Sequence, residues 1–179
     1  MKLSEHFTKE ELTESSVANK YHVKNEPTQV HLKTLIHTCQ YFLEPLRALF
    51  NKAYQFYRNK PVSYVYISPT SGYRSRTVNQ LLKKEGYNPS DTSQHCTGEA
   101  VDFDVFCVFT DGTKYKIPYT TVYTDIKNWV KEGKISVDQL ICEKSGKSFW
   151  THASYKAGGA TVNRKQFMKY TNGKYTQDK

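Results

Sequence analysis

The chain has 179 residues, a formal net charge of +9 at pH 7 and a sequence pI near 9.3. A chain of this length buries roughly 70% of its unfolded surface, so we expect one domain with a full core. No run approaches the ~20 apolar residues of a membrane span, so membrane insertion is not expected. The positive charge favours an anionic partner, but the cations are dispersed and accompany no recognisable nucleic-acid-binding motif. Nucleic acid is therefore not expected as a partner, and we expect a monomer.

The first six residues lack the apolar core of a secretory signal, so we expect synthesis in the cytoplasm without a signal peptide. The four cysteines show no close pairing and no C-x-x-C spacing, which predicts free thiols rather than disulfides or a cysteine-ligated metal.

The N-terminal part, residues 1–60, is predicted to be helical. Thr8 and Glu11 form the two ends of a capping box, which indicates a short helix ending near Ser16. A longer helix should follow a cap around Thr28, because apolar residues between positions 32 and 53 recur at steps of three and four.

Pro45 interrupts this apolar stripe and lacks a backbone donor, so we expect a kink near Tyr41 or a break before the proline. His31 and His37 lie on the same segment and are expected at the surface.

Residues 61–171 are predicted to hold the sheet and the active site. The alternation over residues 64–68 predicts a strand, and a turn over residues 69–72 should deliver Tyr73 and Arg74 to the sheet edge. Residues 77–85 read as a helix, in which Asn79 would brace the arginine loop, and residues 86–92 as a loop.

Residues 100–108 predict a strand with two different faces. Asp102 and Asp104 should project from one face while Val101, Phe103 and Val105 pack on the other. A hairpin turn at residues 110–113 should lead into a strand over residues 114–117.

The C-terminal part predicts one helix and three further strands. The helix covers residues 121–131 and ends at Gly133, and segments 137–142 and 149–155 should pair as antiparallel strands. Residues 165–170 predict an edge strand, and the polar residues 172–179 a disordered tail. The expected fold is α+β, with a central antiparallel sheet and helices packed on one side.

Two histidines and an aspartate suggest metal chemistry. His95 and Asp102 are seven residues apart, and His152 lies downstream in an apolar and aromatic segment. Two histidines and one carboxylate with an open fourth position are typical of catalytic zinc. The H-x6-D pattern alone is weak, since such a pair is more often a hydrogen-bonded or unrelated pair.

Several motifs in order resemble a known family. These are S-G-Y-R-S over residues 71–75, then Asn79, then S-x-H-x-x-G-x-A-x-D over residues 93–102, then W-x-H over residues 150–152. Together they resemble the D-alanyl-D-alanine carboxypeptidase-like zinc peptidases of the hedgehog/DD-peptidase group. The opening F-T-K-E-E-L over residues 7–12 resembles the phage- and prophage-associated branch.

The resemblance implies a role for each matching residue. His95, Asp102 and His152 fall on the three zinc ligands, and Arg74 falls on an arginine that contacts the substrate near the scissile bond. Ser93 matches a serine that hydrogen-bonds the substrate or orients the ligand loop. Tyr73, beside Arg74, is also expected to bind substrate.

The position of the general base differs from that in the better-known members of this family. Many of those members have an acidic residue three positions before the last histidine. That position is Phe149 here, so Glu143 becomes the candidate base, in a D-Q-L-I-x-E arrangement that resembles the phage-associated branch. Asp104 and Asp138 are the alternatives.

The resemblance implies a zinc-dependent peptidase that hydrolyses peptide bonds in bacterial peptidoglycan, either as a D,D-carboxypeptidase or as an endopeptidase of the endolysin type. Without a signal peptide, such an enzyme would reach the wall after phage-type release or as part of a phage particle. The alternative is a binding or virion-structural module that keeps zinc without hydrolysis, which the resemblance to hedgehog domains and Phe149 leave open. A basic nucleic-acid module would make the His95, Asp102 and His152 pattern a coincidence.

Overall fold

An eight-stranded mixed sheet is the centre of the computed structural model, which describes residues 1–178 of the chain. The strand order is β1-β2-β3-β6-β5-β7-β8, and β4 pairs with the second half of β3. The strands are Phe56–Tyr57 (β1), Lys60–Ser71 (β2), Ala100–Phe109 (β3), Lys114–Lys116 (β4), Gln139–Ser145 (β5), Ser148–Ser154 (β6), Gln166–Thr171 (β7) and Lys174–Gln177 (β8). The chain is a single α+β domain.

Six α-helices accompany the sheet in the described residues. They are Lys9–Thr13 (α1), Ser16–Lys20 (α2), Gln29–Thr38 (α3), Glu44–Ala53 (α4), Arg76–Lys84 (α5) and Tyr119–Lys131 (α6). The predicted capping box is present at α1, where the Thr8 side chain accepts from the Glu11 amide and the Glu11 carboxylate accepts from the Thr8 amide. No helix within residues 1–178 is long and apolar enough to cross a membrane.

A π-helical turn, Cys39–Leu43, joins α3 to α4. It contains Tyr41, whose carbonyl would normally bond the missing amide of Pro45, so the disruption predicted from the proline is confirmed. His31 and His37, which are predicted at the surface, are both half-buried. The His37 ring stacks on Tyr41, with ring centroids 4.2 Å apart.

The sheet differs from the predicted antiparallel sheet in one pairing. β5 and β7 run parallel. The chain leaves β6, passes over β5 and pairs as β7 with the far side of β5, so β7 has the same direction as β5. All other neighbouring strands are antiparallel. β2 is also longer than predicted, since it runs through Pro69 to Ser71 instead of turning there. A register shift between Pro69 and Ser71 accommodates the proline.

Four of the eight residues of the predicted disordered tail form a strand. Residues 174–177 form β8, which pairs with β7, so β7 is not the edge strand that the sequence predicts. Lys179, the last residue of the predicted tail, lies outside the described residues.

The sheet has one buried face and one open face. Val101, Phe103 and Val105 of β3 join the core on the buried face, against residues of α3, α4 and α6 such as Leu46 and Ile126. Asp102 and Asp104 project from the open face, as the alternation predicts. The helices that close the core thus pack against the face opposite the two carboxylates.

Candidate metal centre

Three side chains converge at the open face. The Oδ1 atom of Asp102 lies 2.8 Å from Nδ1 of His152 and 3.4 Å from Nε2 of His95, and the two ring nitrogens are 3.3 Å apart. The two histidines are buried and Asp102 is nearly so. One ligand atom from each of the three residues therefore points at a common position, and this cluster could hold a metal ion.

Sheet pairing and a short loop create the convergence. Asp102 on β3 is the direct antiparallel partner of His152 on β6, so their side chains leave the same face side by side. His95 comes from a 3-10 turn, Gln94–Thr97, just before β3. Gly98 ends this turn with φ +81°, and a Cβ there would lie 2.9 Å from the His31 carbonyl oxygen on α3. The glycine lets the turn dock on α3.

The orientation of His95 is fixed from behind. Its Nδ1 donates to the Gly72 carbonyl oxygen at 2.7 Å, which leaves Nε2 as the lone-pair nitrogen that faces the cluster. A Cβ at Gly72 would lie 2.3 Å from the Leu12 carbonyl oxygen, so only glycine fits between α1 and His95. This close contact gives the N-terminal helix a part in building the site.

Two of the three separations between ligand atoms are compatible with a tetrahedral ion of the size of zinc. A tetrahedral ion with bonds of ~2.0–2.1 Å places its ligand atoms ~3.3 Å apart, close to two of the three separations given above. The third separation, between Asp102 and His152, is a hydrogen bond. Two imidazoles and one carboxylate are also the donor types that zinc takes in catalytic sites.

The electrostatics of the cluster act differently on its three side chains. Burial lowers the pKa of His95, and the nearby Arg74 charge acts in the same direction. Burial alone would raise the pKa of Asp102, but the charges and hydrogen bonds of His95 and His152 outweigh it and hold the pKa well below its usual range. Asp102 is thus an anion. Its hydrogen bond and charge raise the pKa of His152 against the effect of burial.

Glu143 lies beside the cluster. On β5 it is two residues from Ile141, the direct partner of His152, so its side chain shares the open face at a diagonal position ~7 Å away. It is only 8% exposed, and this burial raises its pKa to about 7 although the charges of His152 and Arg74 oppose the shift. A carboxyl with such a pKa can exchange a proton near neutral pH.

Phe149 lies on the other side of β6 from His152. The two are three residues apart on one strand, so the alternation of side chains sends them to opposite faces. Phe149 instead contacts Tyr119 of α6, with ring centroids 5.0 Å apart. An acidic residue at position 149 would not face the cluster in this strand, whereas Glu143 does.

The two alternative bases have other partners. Asp104 accepts a hydrogen bond from Lys116 at 2.6 Å. Asp138 is fully buried and binds Arg164, with Nε at 2.9 Å from Oδ1, and Gln94, with Nε2 at 3.0 Å from Oδ2. Since Gln94 precedes His95, Asp138 anchors the ligand turn instead of facing the cluster.

Arg74 lies next to the cluster, and its guanidinium makes no hydrogen bond or ion pair with residues 1–178. Its backbone amide donates to the His95 carbonyl oxygen at 3.1 Å, which ties the arginine loop to the ligand turn. Its charge acts on His95, His152 and Glu143. The free guanidinium fork suits a carboxylate or carbonyl oxygen of a ligand.

Ser93 and Tyr73, the other two residues predicted to contact the substrate, lie in different environments. Ser93 is half-buried at the start of the ligand turn, and its side chain does not cap the turn. Tyr73 is 5% exposed and belongs to the core, with its hydroxyl 3.4 Å from Nδ1 of His31. Its position leaves little of the ring for a substrate.

Asn25 is a supporting residue that the sequence does not reveal. Its side-chain amide donates to the Tyr73 carbonyl oxygen at 2.9 Å, and its carbonyl accepts from the Ser75 amide at 2.7 Å. Asn25 therefore braces the arginine loop, the role predicted for Asn79. Asn79 instead donates to the Ser90 carbonyl oxygen at 3.0 Å and holds the loop before the ligand turn.

Comparison of the chain with protein families, with curated proteins and with solved structures gives no match. The assignment of a function therefore depends on the residues of the site and on the motifs they form.

Proposed function

We propose that the protein is a zinc-dependent peptidase that hydrolyses peptide bonds in bacterial peptidoglycan, as a D,D-carboxypeptidase or an endopeptidase. The main support is one observation: Nε2 of His95, Oδ1 of Asp102 and Nδ1 of His152 converge on the open face beside the protonatable carboxyl of Glu143. The resemblance of the motifs around these residues to D-alanyl-D-alanine carboxypeptidase-like zinc peptidases supplies the substrate class.

The residues of the site divide the chemistry between them. Zinc held by the three ligands would lower the pKa of a coordinated water to ~7 and polarise the scissile carbonyl. Glu143 accepts the proton of the attacking water and returns it to the leaving amine, a role that suits a carboxyl with a pKa near neutrality. Arg74 donates to the carbonyl oxygen as negative charge develops on it.

The net charge of +9 suits a substrate embedded in anionic wall polymers, since long-range attraction raises the encounter rate. The resemblance to the phage-associated branch favours action on the wall after phage-type release, or as part of a phage particle. We propose this context together with the activity.

Digestion of purified peptidoglycan tests the proposal. The zinc-loaded protein should release peptides that mass spectrometry identifies, and the cut bond follows from their termini. Glu143→Gln should keep zinc and fold but slow release by ~100-fold or more, because an amide cannot take a proton.

Two results would contradict parts of this scheme. Release by Glu143→Gln at the wild-type rate would assign the base to another residue. No release by a zinc-loaded, folded wild-type protein from any peptidoglycan type would favour the non-hydrolytic binding or virion-structural module instead.

A further inference from the structure

The C-terminal hairpin of β7 and β8 extends the row of side chains that contains Glu143. Glu143 on β5 pairs with Tyr170 on β7, and Tyr170 pairs with Tyr175 on β8. Directly paired residues project to the same face of a sheet. Tyr170 and Tyr175 therefore lie on the open face, on the side of Glu143 away from Asp102.

The Tyr175 side chain is largely exposed on the same face as the site. The residue is 55% exposed, and its ring packs against the Tyr170 ring, with centroids 4.7 Å apart. Its hydroxyl has no hydrogen-bond partner within residues 1–178. Partial burial of the side chain and the negative charges of Glu143 and, more weakly, Asp102 raise the pKa of Tyr175 to about 12. A tyrosine hydroxyl is a neutral hydrogen-bond donor at pH 7.

A cluster of polar contacts fixes the end of the hairpin. The Asp178 carboxylate accepts from the Tyr123 hydroxyl at 2.8 Å and from Nζ of Lys127 at 2.9 Å, both on α6, and from Nζ of Lys169 at 3.1 Å. Its backbone amide donates to the Phe167 carbonyl oxygen at 2.9 Å. β8 is thus clamped at its end although all four of its residues are exposed.

We propose that the hydroxyl of Tyr175 donates a hydrogen bond to a carbonyl or carboxylate oxygen of the peptide bound at the metal centre. Tyr175 would thereby be a substrate-binding residue that β8 contributes to the Glu143 side of the cleft. This inference rests on the proposed peptidase function. The exposed ring, the unpartnered hydroxyl and the clamped hairpin are features of a binding wall rather than of a packed edge strand.

Binding measurements separate the inference from the function on which it rests. Soluble muropeptides, released from peptidoglycan by a muramidase, are titrated into zinc-loaded Glu143→Gln protein, which should hydrolyse them ~100-fold or more slowly, and into the same protein carrying Tyr175→Phe. Loss of the hydroxyl should raise Kd by about 10-fold, the usual effect of one hydrogen bond to a charged or strongly polarised oxygen. In the otherwise wild-type enzyme, Tyr175→Phe should raise KM by a similar factor and change kcat less.

Tyr87→Phe is the matched control. Tyr87 is 63% exposed on the loop after α5, and its hydroxyl also lacks a partner within residues 1–178. Its removal should leave Kd and KM unchanged. Unchanged Kd and KM in Tyr175→Phe, with hydrolysis intact, would overturn the inference alone, and so would equal effects in the two variants. Absence of muropeptide binding to the zinc-loaded Glu143→Gln protein would overturn the proposed function and the inference together.

Discussion

Alternate residues of β3 belong to two different environments. Val101, Phe103 and Val105 are at most 1% exposed and pack into the helices, whereas Asp102 and its neighbours on the other face line the open site. The buried face is filled by apolar side chains that stabilise the fold. The open face holds carboxylates and histidines whose positions depend on loops and hydrogen bonds behind them. The comparison indicates that substitutions on one face should cost stability, and substitutions on the other should cost function.

Two phenylalanines on β3 test this contrast with the same chemical change. Phe103 is 1% exposed on the buried face, so Phe103→Ala should lower the free energy of unfolding by about 3–5 kcal/mol. Phe106 is half-buried on the open face and stacks on Tyr66, with centroids 5.1 Å apart. Phe106→Ala should cost about 1 kcal/mol. Urea denaturation of both variants gives the two values, and similar losses would contradict the division between the faces.

The buried carboxylate of Glu143 should lower the free energy of unfolding of the metal-free protein at high pH. Its pKa is raised from 4.5 to about 7, so the folded state binds more protons than the unfolded state between these values, and stability falls as pH rises through them. Glu143→Gln removes this loss. The variant should therefore be more stable than the metal-free wild type above pH 7, by an amount on the order of 3 kcal/mol, with little difference below pH 4.5.

Denaturation midpoints at pH 4.5 and pH 8, measured in the presence of a chelator, check the sign. Glu132→Gln on the exposed end of α6 is the control, and it should produce no such pH-dependent gain. An equal gain in both variants would show that Glu143 is not specially destabilised by its burial.

Arg74→Lys should lower turnover by about 10-fold or more while zinc content and melting temperature stay unchanged. Lysine keeps the charge but loses the planar two-pronged contact, and no side-chain hydrogen bond or ion pair of Arg74 with residues 1–178 contributes to the fold. Kinetics on a cleaved peptide beside a melting curve measure both effects. Near-normal turnover would make Arg74 an ordinary surface cation.

The sequence predicts those parts of the fold that are determined by residues close together in the chain. The capping box at Thr8 and the alternation around Asp102 are local patterns with local causes, and both are present. β8 could not be predicted in this way, because its residues are exposed and form a strand through backbone pairing with β7 and the clamp at Asp178. The parallel pairing of β5 and β7 likewise depends on a crossover that no local pattern contains.

The same distinction between local and long-range causes applies to the site. The motifs single out His95, Asp102 and His152, and the structure brings these three together. The groups behind them, such as the Gly72 carbonyl and the Asn25 side chain, act through contacts 23 and 48 residues apart in the chain. Tyr175 was hidden in a polar segment predicted to be disordered. Residues that contribute to the site only through tertiary contacts produce no local pattern in the sequence.

The most direct test of the metal centre is the zinc content of purified variants, measured by elemental analysis beside the wild-type protein. We expect one tightly bound zinc per wild-type chain, loss of high-affinity zinc in His95→Ala, Asp102→Ala and His152→Ala, and full retention in Asp104→Ala, because only the first three side chains converge. Stoichiometric zinc in Asp102→Ala together with its loss in Asp104→Ala would contradict the account and move the centre to the other carboxylate of β3.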